Sequence, residues 1–562
     1  MSSRRSNKLL VVVAIWLLLA GVVAIAFRVL VSPALTEGQA FREALSEYTE
    51  LSETARKRGL SVEDIPEDAD AEGIVTMIAN LERRLTSSRA HDRPIRQRVG
   101  FSLDSFSGYA VFRSDAFAEE LASAGLALEL HDDGADYNAR LRSLQQGTRP
   151  VAIFTIDALI KASAGLRDLP ATIVLVLDET VGADAMVSYS QGVPDIDALN
   201  RPDARIVVTP DSPSETLTRV VMANFALPDL PQDPWVAANG AAEVYDRFVA
   251  ADPTQPQAFV LWEPYVSKAL EQPGATVLLD SSNFRGYIVD VLVVQRQFLL
   301  DHEETVRQIV QSYLKTAHRL RHSPGAWSAM LREDARKLGE PLTVAQAERM
   351  LDTIWWKNTR ENYAHFSLLP GTEVGGVRTL HRIVKNLTDV LQETGAIAED
   401  PTDGQPGALI YERVMRQLQT DRFHPDGSRR DSDEGIRDDQ PTRELSDREW
   451  ASLVPVGTLD VDRLVFARGT SALTGQTRRS LDRLRVTLQD WPHYYLVVEG
   501  QARQLGDTEA NRALAVDRAE AARDYLEQAG VPTARMLATT REQLGRGGTA
   551  QSVTFRLMQL PY

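Results

Sequence analysis

The chain has 562 residues, enough for three or four folding units, and its 43% apolar and 25% charged residues are the proportions of a globular protein. Its 62 basic and 78 acidic residues leave a net charge of −16, which excludes the basic footprint of a duplex nucleic-acid binder. It has no cysteine, and therefore no disulfide framework, thiolate metal site, cysteine nucleophile or lipid-modified N-terminal cysteine.

Arg4, Arg5 and Lys8 precede an uncharged apolar run, Leu9 to Phe27. At 1.5 Å per residue this run covers roughly 28 Å, close to a bilayer hydrocarbon core. The positive-inside rule predicts a cytoplasmic tail over 1–8, a transmembrane signal anchor over 9–31 and the bulk of the chain in the periplasm, as a single-pass inner-membrane protein. A cleaved signal peptide ending near Ala24-Ile25-Ala26 is the alternative, and it leaves the bulk in the same compartment.

Residues 35–93 carry apolar residues at helical spacing on both sides of the acidic loop VEDIPEDADAEG. This segment is expected to be a helical stalk or a hairpin packed on the next domain. From about residue 94 the pattern changes to short apolar runs alternating with amphipathic helices: QRVGFSL, LALELH, PVAIFTI, TIVLVLD, AMVSYS, ARIVVTP, QAFVLWE, ATVLLD and VDVLVV, then helices from Glu303 to about Gln419. Strands alternating with helices predict a two-lobed α/β domain over 94–419 with largely parallel sheets. Residues 420–450 are dense in charge, Gly and Pro and read as a flexible linker. Over 451–562, VDRLVFARG is expected as a strand, Thr477–Gln489 as a helix, YYLVVEG as a buried strand, Thr508–Ala529 as a helix stopped by Gly530, and VTFRLMQL as a closing strand. Together they predict an α+β sandwich.

The segments VGFSLDSFSGY, YNARLRSLQQGTRPVAIFTIDAL, VLVLDETVGADAMVS, ARIVVTPDSPSE and QAFVLWEPYVSKAL occur in an order that resembles the periplasmic solute-binding proteins of ABC importers, in the group that handles nitrate, sulfonates, taurine and thiamine precursors. The resemblance implies a periplasmic-binding-protein fold with a ligand cleft between its lobes. Side chains at the carboxyl ends of the strands would line it: Ser105, Tyr109, Thr155, Asp157, Asp178, Thr180, Ser212, Ser214, Trp262 and Glu263. Ser212 also reads as a plain helix cap, Asp178 as a turn residue and Trp262 as core. The acidic residues suit a cationic or zwitterionic solute better than an anion. Phe154, where the family carries a small residue, is expected to narrow the cleft.

The segment YYLVVEGQARQLGDTEANRALAVDRAEAARDYLEQAGV resembles the OmpA-like peptidoglycan-binding domain, with Gly500, Gly506, Asn511, Leu514, Arg518 and Ala519 in register. That family holds the diaminopimelate of the peptide stem between an Asp and an Arg 15 positions later. Arg518 matches the second position and Asn511 belongs to the same motif. Arg503 stands where the Asp is expected, a charge reversal at the place of the ligand ammonium. Glu499 and Asp507 are the nearby carboxylates that could replace it.

Catalytic motifs are absent: no HExxH, G-x-S-x-G, Walker or dinucleotide pattern occurs. His318 and His322 have helical ligand spacing, but Arg319 and Arg321 flank them, and the pair reads as a solvated helix end. The expectation is a non-enzymatic protein without a cofactor, with a small solute, peptidoglycan, the inner membrane and an ABC permease as partners. Its function would be solute capture for ABC import or sensing from a fixed place in the envelope. The alternative is a structural envelope scaffold that carries a degenerate receptor domain.

Overall fold

The computed structural model describes residues 94–371, 377–437, 443–502, 506–542 and 553–561, with helical residues scattered between 45 and 81. The anchor predicted over 9–31 and Arg503 lie outside the described residues. Among the described residues, no helix is long and apolar enough to cross a membrane. Within 45–81, Tyr48, Ile74, Ile78 and Leu81 bury one another in a small cluster of their own.

The first lobe begins with β1 (Gln97–Leu103), β2 (Leu126–Asp132), β3 (Val151–Thr155) and β4 (Ala171–Thr180). The chain then crosses to the second lobe, built on β5 (Asp184–Tyr189), β6 (Arg205–Val208), β7 (Trp235–Ala237), β8 (Gln257–Trp262) and β9 (Ala275–Asp280). It returns through β10 (Val289–Gln295) and β11 (Ile354–Trp356), giving the orders β11-β4-β10-β3-β1-β2 and β7-β6-β8-β5-β9. Strands β3 and β4 are buried along their whole length, as sheets covered on both faces require, and Val151–Phe154 and Ile173–Leu177 are accordingly apolar; both strands pair antiparallel with β10, so the sheet is mixed rather than largely parallel as expected. The two crossings between lobes are tied together by Ser281, whose Oγ accepts the amide protons of Gly182 at 2.8 Å and Asp184 at 3.4 Å.

The C-terminal domain has one four-stranded sheet, β12 (Val454–Thr458), β13 (Tyr495–Ala502), β14 (Met536–Glu542) and β15 (Val553–Gln559), in the order β12-β15-β13-β14. Two long helices, Gly475–Asp490 and Thr508–Gln528, complete it. The expected strand over VDRLVFARG is instead irregular chain, and the pairing strand is β12, a few residues earlier. The apolar residues of that run are used differently: Leu464 is buried, and Phe466 lies under the Arg518 guanidinium, 4.8 Å from its ring centroid.

Residues 421–437, expected as part of a flexible linker, are folded against the first lobe. His424 is buried between Asp426 and Asp433. The Glu434 carboxylate accepts the Thr359 amide proton at 3.0 Å and pairs with His318 and Arg321. High charge density failed as a marker of disorder here because His424 and Glu434 are buried on specific partners while the other charges of the segment stay at the surface.

The C-terminal domain docks on both lobes and on the returning crossover. Asp490, 2% exposed, is paired with Arg378 at 3.0 Å and Arg382 at 2.7 Å and accepts a proton from Asn386 Nδ2 at 2.7 Å, all from the first lobe. Its backbone carbonyl accepts from the crossover residue Arg285 at 2.7 Å. On the second lobe, Asp197 accepts from the Thr458 amide at 2.6 Å and hydroxyl at 2.9 Å, and Phe225 bridges Leu459 through the main chain. Trp491 is fully buried between the units, its ring 5.6 Å from Phe225 and 6.4 Å from Phe284. Apolar burial and ion pairing on this scale make the domain part of one continuous core rather than a tethered appendage.

Candidate functional site

The carboxyl ends of β1, β3 and β4 and the start of β10 meet the second lobe where open α/β sheets carry their ligands. Thr155, Asp290 and Asp178 form one row across β3, β10 and β4. The next helix of the first lobe, α1 (Ile156–Ser163), presents Asp157 in its opening turn. Facing it from the second lobe is α2 (Pro213–Asn224), with Ser214, Glu215 and Thr216 in its first turns. The lobes are closed on each other here: the Thr216 hydroxyl donates to Asp157 Oδ2, and Lys161 pairs with Asp211 at 2.8 Å and Glu215 at 3.2 Å.

This row is acidic and buried. Tyr109, 1% exposed, donates its hydroxyl proton to Asp290. Among the described residues no N–H or hydroxyl donor reaches either oxygen of Asp178, and Ser102 Oγ, Thr155 Oγ1, Asp157 Oδ1 and Ser214 Oγ are likewise buried without a partner. Burial pushes Asp178 up to about 7, and burial together with the Asp178 charge raises Asp290 well above the usual carboxylate range, so the pair retains a proton. Burial also pushes Asp184 up to about 7, against a hydrogen bond with Thr180. The cations nearby are committed elsewhere. Arg140 is paired with Asp104 and Asp133, and Lys357 with Glu179 at 2.7 Å.

A raised carboxyl binds its proton in the folded state at pH values where the unfolded chain has released it, so folding costs more as pH rises from about 4 to about 7. Asp290 from β10, Glu179, Lys357 and Tyr313 face Asp178 and set this cost. His365, which burial lowers to about 3, works in the opposite direction, because the unfolded chain takes up a proton below its ordinary value. The informative quantity is therefore a difference between variants. Asp178→Asn should gain stability relative to wild type as pH goes from 5 to 8, measured as urea midpoints; a constant difference would mean that Asp178 is ionised throughout.

The structure brings Tyr109, Thr155, Asp157, Asp178, Thr180 and Ser214 to this place, all buried. Ser105 is exposed, and Ser212 donates its hydroxyl proton to the Thr209 carbonyl at 2.6 Å without capping the helix. Trp262 stands opposite Asp184 in the β5–β8 pair, half-buried. Glu263 is occupied by Ser267, whose amide and hydroxyl donate to it at 3.2 and 2.8 Å. Phe154 packs beneath Tyr137 and Arg140. Sequence reading missed Asp290 and Asp184; the available signal was a lone Asp inside each apolar run, VDVLVV and DAMVSY.

The second candidate site lies on α3 (Thr508–Gln528) of the C-terminal domain. Arg518, 3% exposed, donates from Nε to the Thr470 carbonyl at 2.8 Å and from Nη2 to the Ala467 carbonyl at 3.3 Å, so the guanidinium braces the 466–470 turn. Asp507 is the helix N-cap, accepting from Glu509 N at 3.1 Å and Ala510 N at 3.0 Å. Eleven residues of helix, roughly 16 Å of rise, separate it from Arg518, too far for the two to grip one amino-acid head group. Glu499 alternates with Gly500 along β13, and Gly500 faces α3, so Glu499 points to the opposite face of the sheet. Neither carboxylate therefore replaces the Asp expected at 503. Asn511 sits half-buried in the first turns of α3. His318 and His322 pack against Glu434 and the His318 carbonyl, and among the described residues no group of three His, Asp or Glu is arranged to hold a metal ion.

Residues 465–552 match the family model described as OmpA family. Over 75 residues, 13% of this chain, the sequence is 39% identical to the Peptidoglycan-associated lipoprotein of Brucella suis, covering 45% of that protein. It is also 39% identical to the protein of that name from Rhizobium meliloti, covering 43% of it. The chain thus spans less than half the length of the curated relatives it matches. Among solved structures it is similar to the periplasmic aliphatic sulphonate binding protein of Escherichia coli, with a TM-score of 0.41 and 15% identity over 57% of this chain and 92% of that one. The periplasmic nitrate-binding protein of Synechocystis PCC 6803 is similar at a TM-score of 0.41 and 11% identity, over 60% and 91%. The strand orders give a two-lobed α/β fold, and residues 465–552, which match the OmpA family model, are docked upon it.

Proposed function

We propose that this is an inner-membrane-anchored envelope protein that binds a small solute between its lobes and holds peptidoglycan through its C-terminal domain, serving ABC import or solute sensing without catalysis or a cofactor. The observation that carries the wall-binding half is Arg518, a buried guanidinium set on α3 of an OmpA-family domain whose relatives are named for association with peptidoglycan. A guanidinium can fork onto a ligand carboxylate, but Arg503 repels the ammonium that would accompany it. The solute-binding half is supported by partnerless acceptors on both sides of a closed cleft. A second reading, a structural scaffold, is favoured by one observation: the C-terminal domain is fastened to both lobes at once.

Titrating the chain with a soluble diaminopimelate-containing stem tripeptide tests the wall site. Arg503→Asp should tighten binding by roughly tenfold or more, as a repulsive contact becomes an attractive one. If Arg503→Asp leaves the affinity unchanged, Arg503 does not meet the ligand and the family's grip does not apply here.

A further inference from the structure

The interlobe cleft combines an acidic row with polar groups that have nothing to bond. Thr155 Oγ1, at the end of β3, and Ser214 Oγ, in the first turn of α2, are partnerless on residues 2% and 0% exposed, and the Thr216–Asp157 hydrogen bond joins α2 to α1 here. Leaving Asp157 Oδ1, Thr155 Oγ1 and Ser214 Oγ unsatisfied costs free energy that a bound donor would recover. The helix amino termini that converge here would favour an anion, yet each already meets a carboxylate in its first turn, Asp157 on α1 and Glu215 on α2. Among the described residues, the cations beside the cleft, Arg140, Lys161 and Lys357, are all bound to carboxylates. Metal coordination does not fit either, because among the described residues no three carboxylates or histidines converge.

We propose that the cleft recognises a small organic cation with several N–H donors, of the amine or amidine class, whose hydrogens are accepted by Asp157 Oδ1 and Asp178 with Thr155 and Ser214 beside them. This rests on the solute-binding reading above and gives that site its ligand class. Charge-assisted N–H···O bonds to two carboxylates supply the orientation, and the second lobe supplies closure. Binding displaces the proton held by the Asp178–Asp290 pair, so the cation binds more tightly as pH rises.

The test uses the purified full chain and a small-molecule extract below 1 kDa from the cells that make it, divided into fractions retained on cation and on anion exchangers. The cation-exchange fraction should raise the melting temperature of wild type by several degrees. The shift should vanish in Asp178→Asn, although that variant is itself at least as stable as wild type without ligand. Asp157→Asn, at a residue also bonded to Thr216, should weaken the shift in the same direction. Stabilisation by the anion-exchange fraction alone would overturn the ligand class while leaving the solute-binding reading intact. No stabilisation by either fraction would overturn that reading as well and leave the scaffold.

Discussion

Asp490→Ala should release the C-terminal domain from the lobes. Asp490 is buried, and it is the shared partner of Arg378, Arg382 and Asn386. A buried ion pair contributes little net stability compared with apolar packing, but removing one member takes from the others the charge that offset their burial. Here two guanidinium groups would be left facing an apolar methyl, a loss on the order of 3–5 kcal/mol. The remaining contacts, Asp197 with Thr458 and the Trp491 stack, lie on other surfaces and do not replace the lost charge. Unfolding by heat or urea, expected as one cooperative transition in wild type, should split into two. Protease should then cut between residues 443 and 454 faster than it does in wild type. A single unshifted transition in Asp490→Ala would show that the Arg378–Asp490–Arg382 cluster does not hold the units together.

Gly500→Ala is expected to damage the C-terminal domain itself. A Cβ built on Gly500 would lie 1.9 Å from the Ala515 carbonyl oxygen and 2.6 Å from its carbon, both backbone atoms of α3. A flexible side chain could swing away from such a clash, but a helix backbone cannot, so α3 must lift off the sheet. That separates Ala515, Ala519, Ala522 and Leu526, the buried apolar residues of the helix, from the sheet. The cost should reach about 3 kcal/mol, the upper end for an added methyl, read as a lowered urea midpoint. Substitution by Ala at Gly506, where nothing lies within 4 Å of the added Cβ but φ is +88°, should cost only the backbone strain of about 1 kcal/mol. Equal losses at the two glycines would contradict the close helix–sheet approach.

The parts of the fold that were legible in the sequence were those decided locally. Residues Ile173–Leu177 of β4 are an apolar run because both faces of the strand are covered, and α3 carries its own stop at Gly530. Short strands such as β7 and β11, three residues each, are held by neighbours distant in sequence and leave no periodic signal. The 421–437 segment looked like solvated linker because composition cannot show that Glu434 meets Thr359, His318 and Arg321. The docking of Asp490 was invisible for the same reason, its partners lying more than 100 residues away. In the cleft, residues at strand ends were legible from the fold resemblance. Asp290 was not, because one acid in a buried strand acquires meaning only when β4 places Asp178 beside it. Glu499 shows the limit of counting along a strand: its parity was right for the strand, but the helix bearing Arg518 covers the other face.

The measurement that reaches the centre of this account is co-sedimentation of the purified full chain with isolated peptidoglycan sacculi. The account predicts that wild type pellets with the sacculi, that Arg518→Ala stays in the supernatant, and that Arg503→Asp pellets at lower protein concentration than wild type. Circular dichroism of Arg518→Ala separates a lost contact from a collapsed 466–470 turn. Wild type remaining in the supernatant, or pelleting that is indifferent to both arginines, would contradict attachment to the wall through this domain.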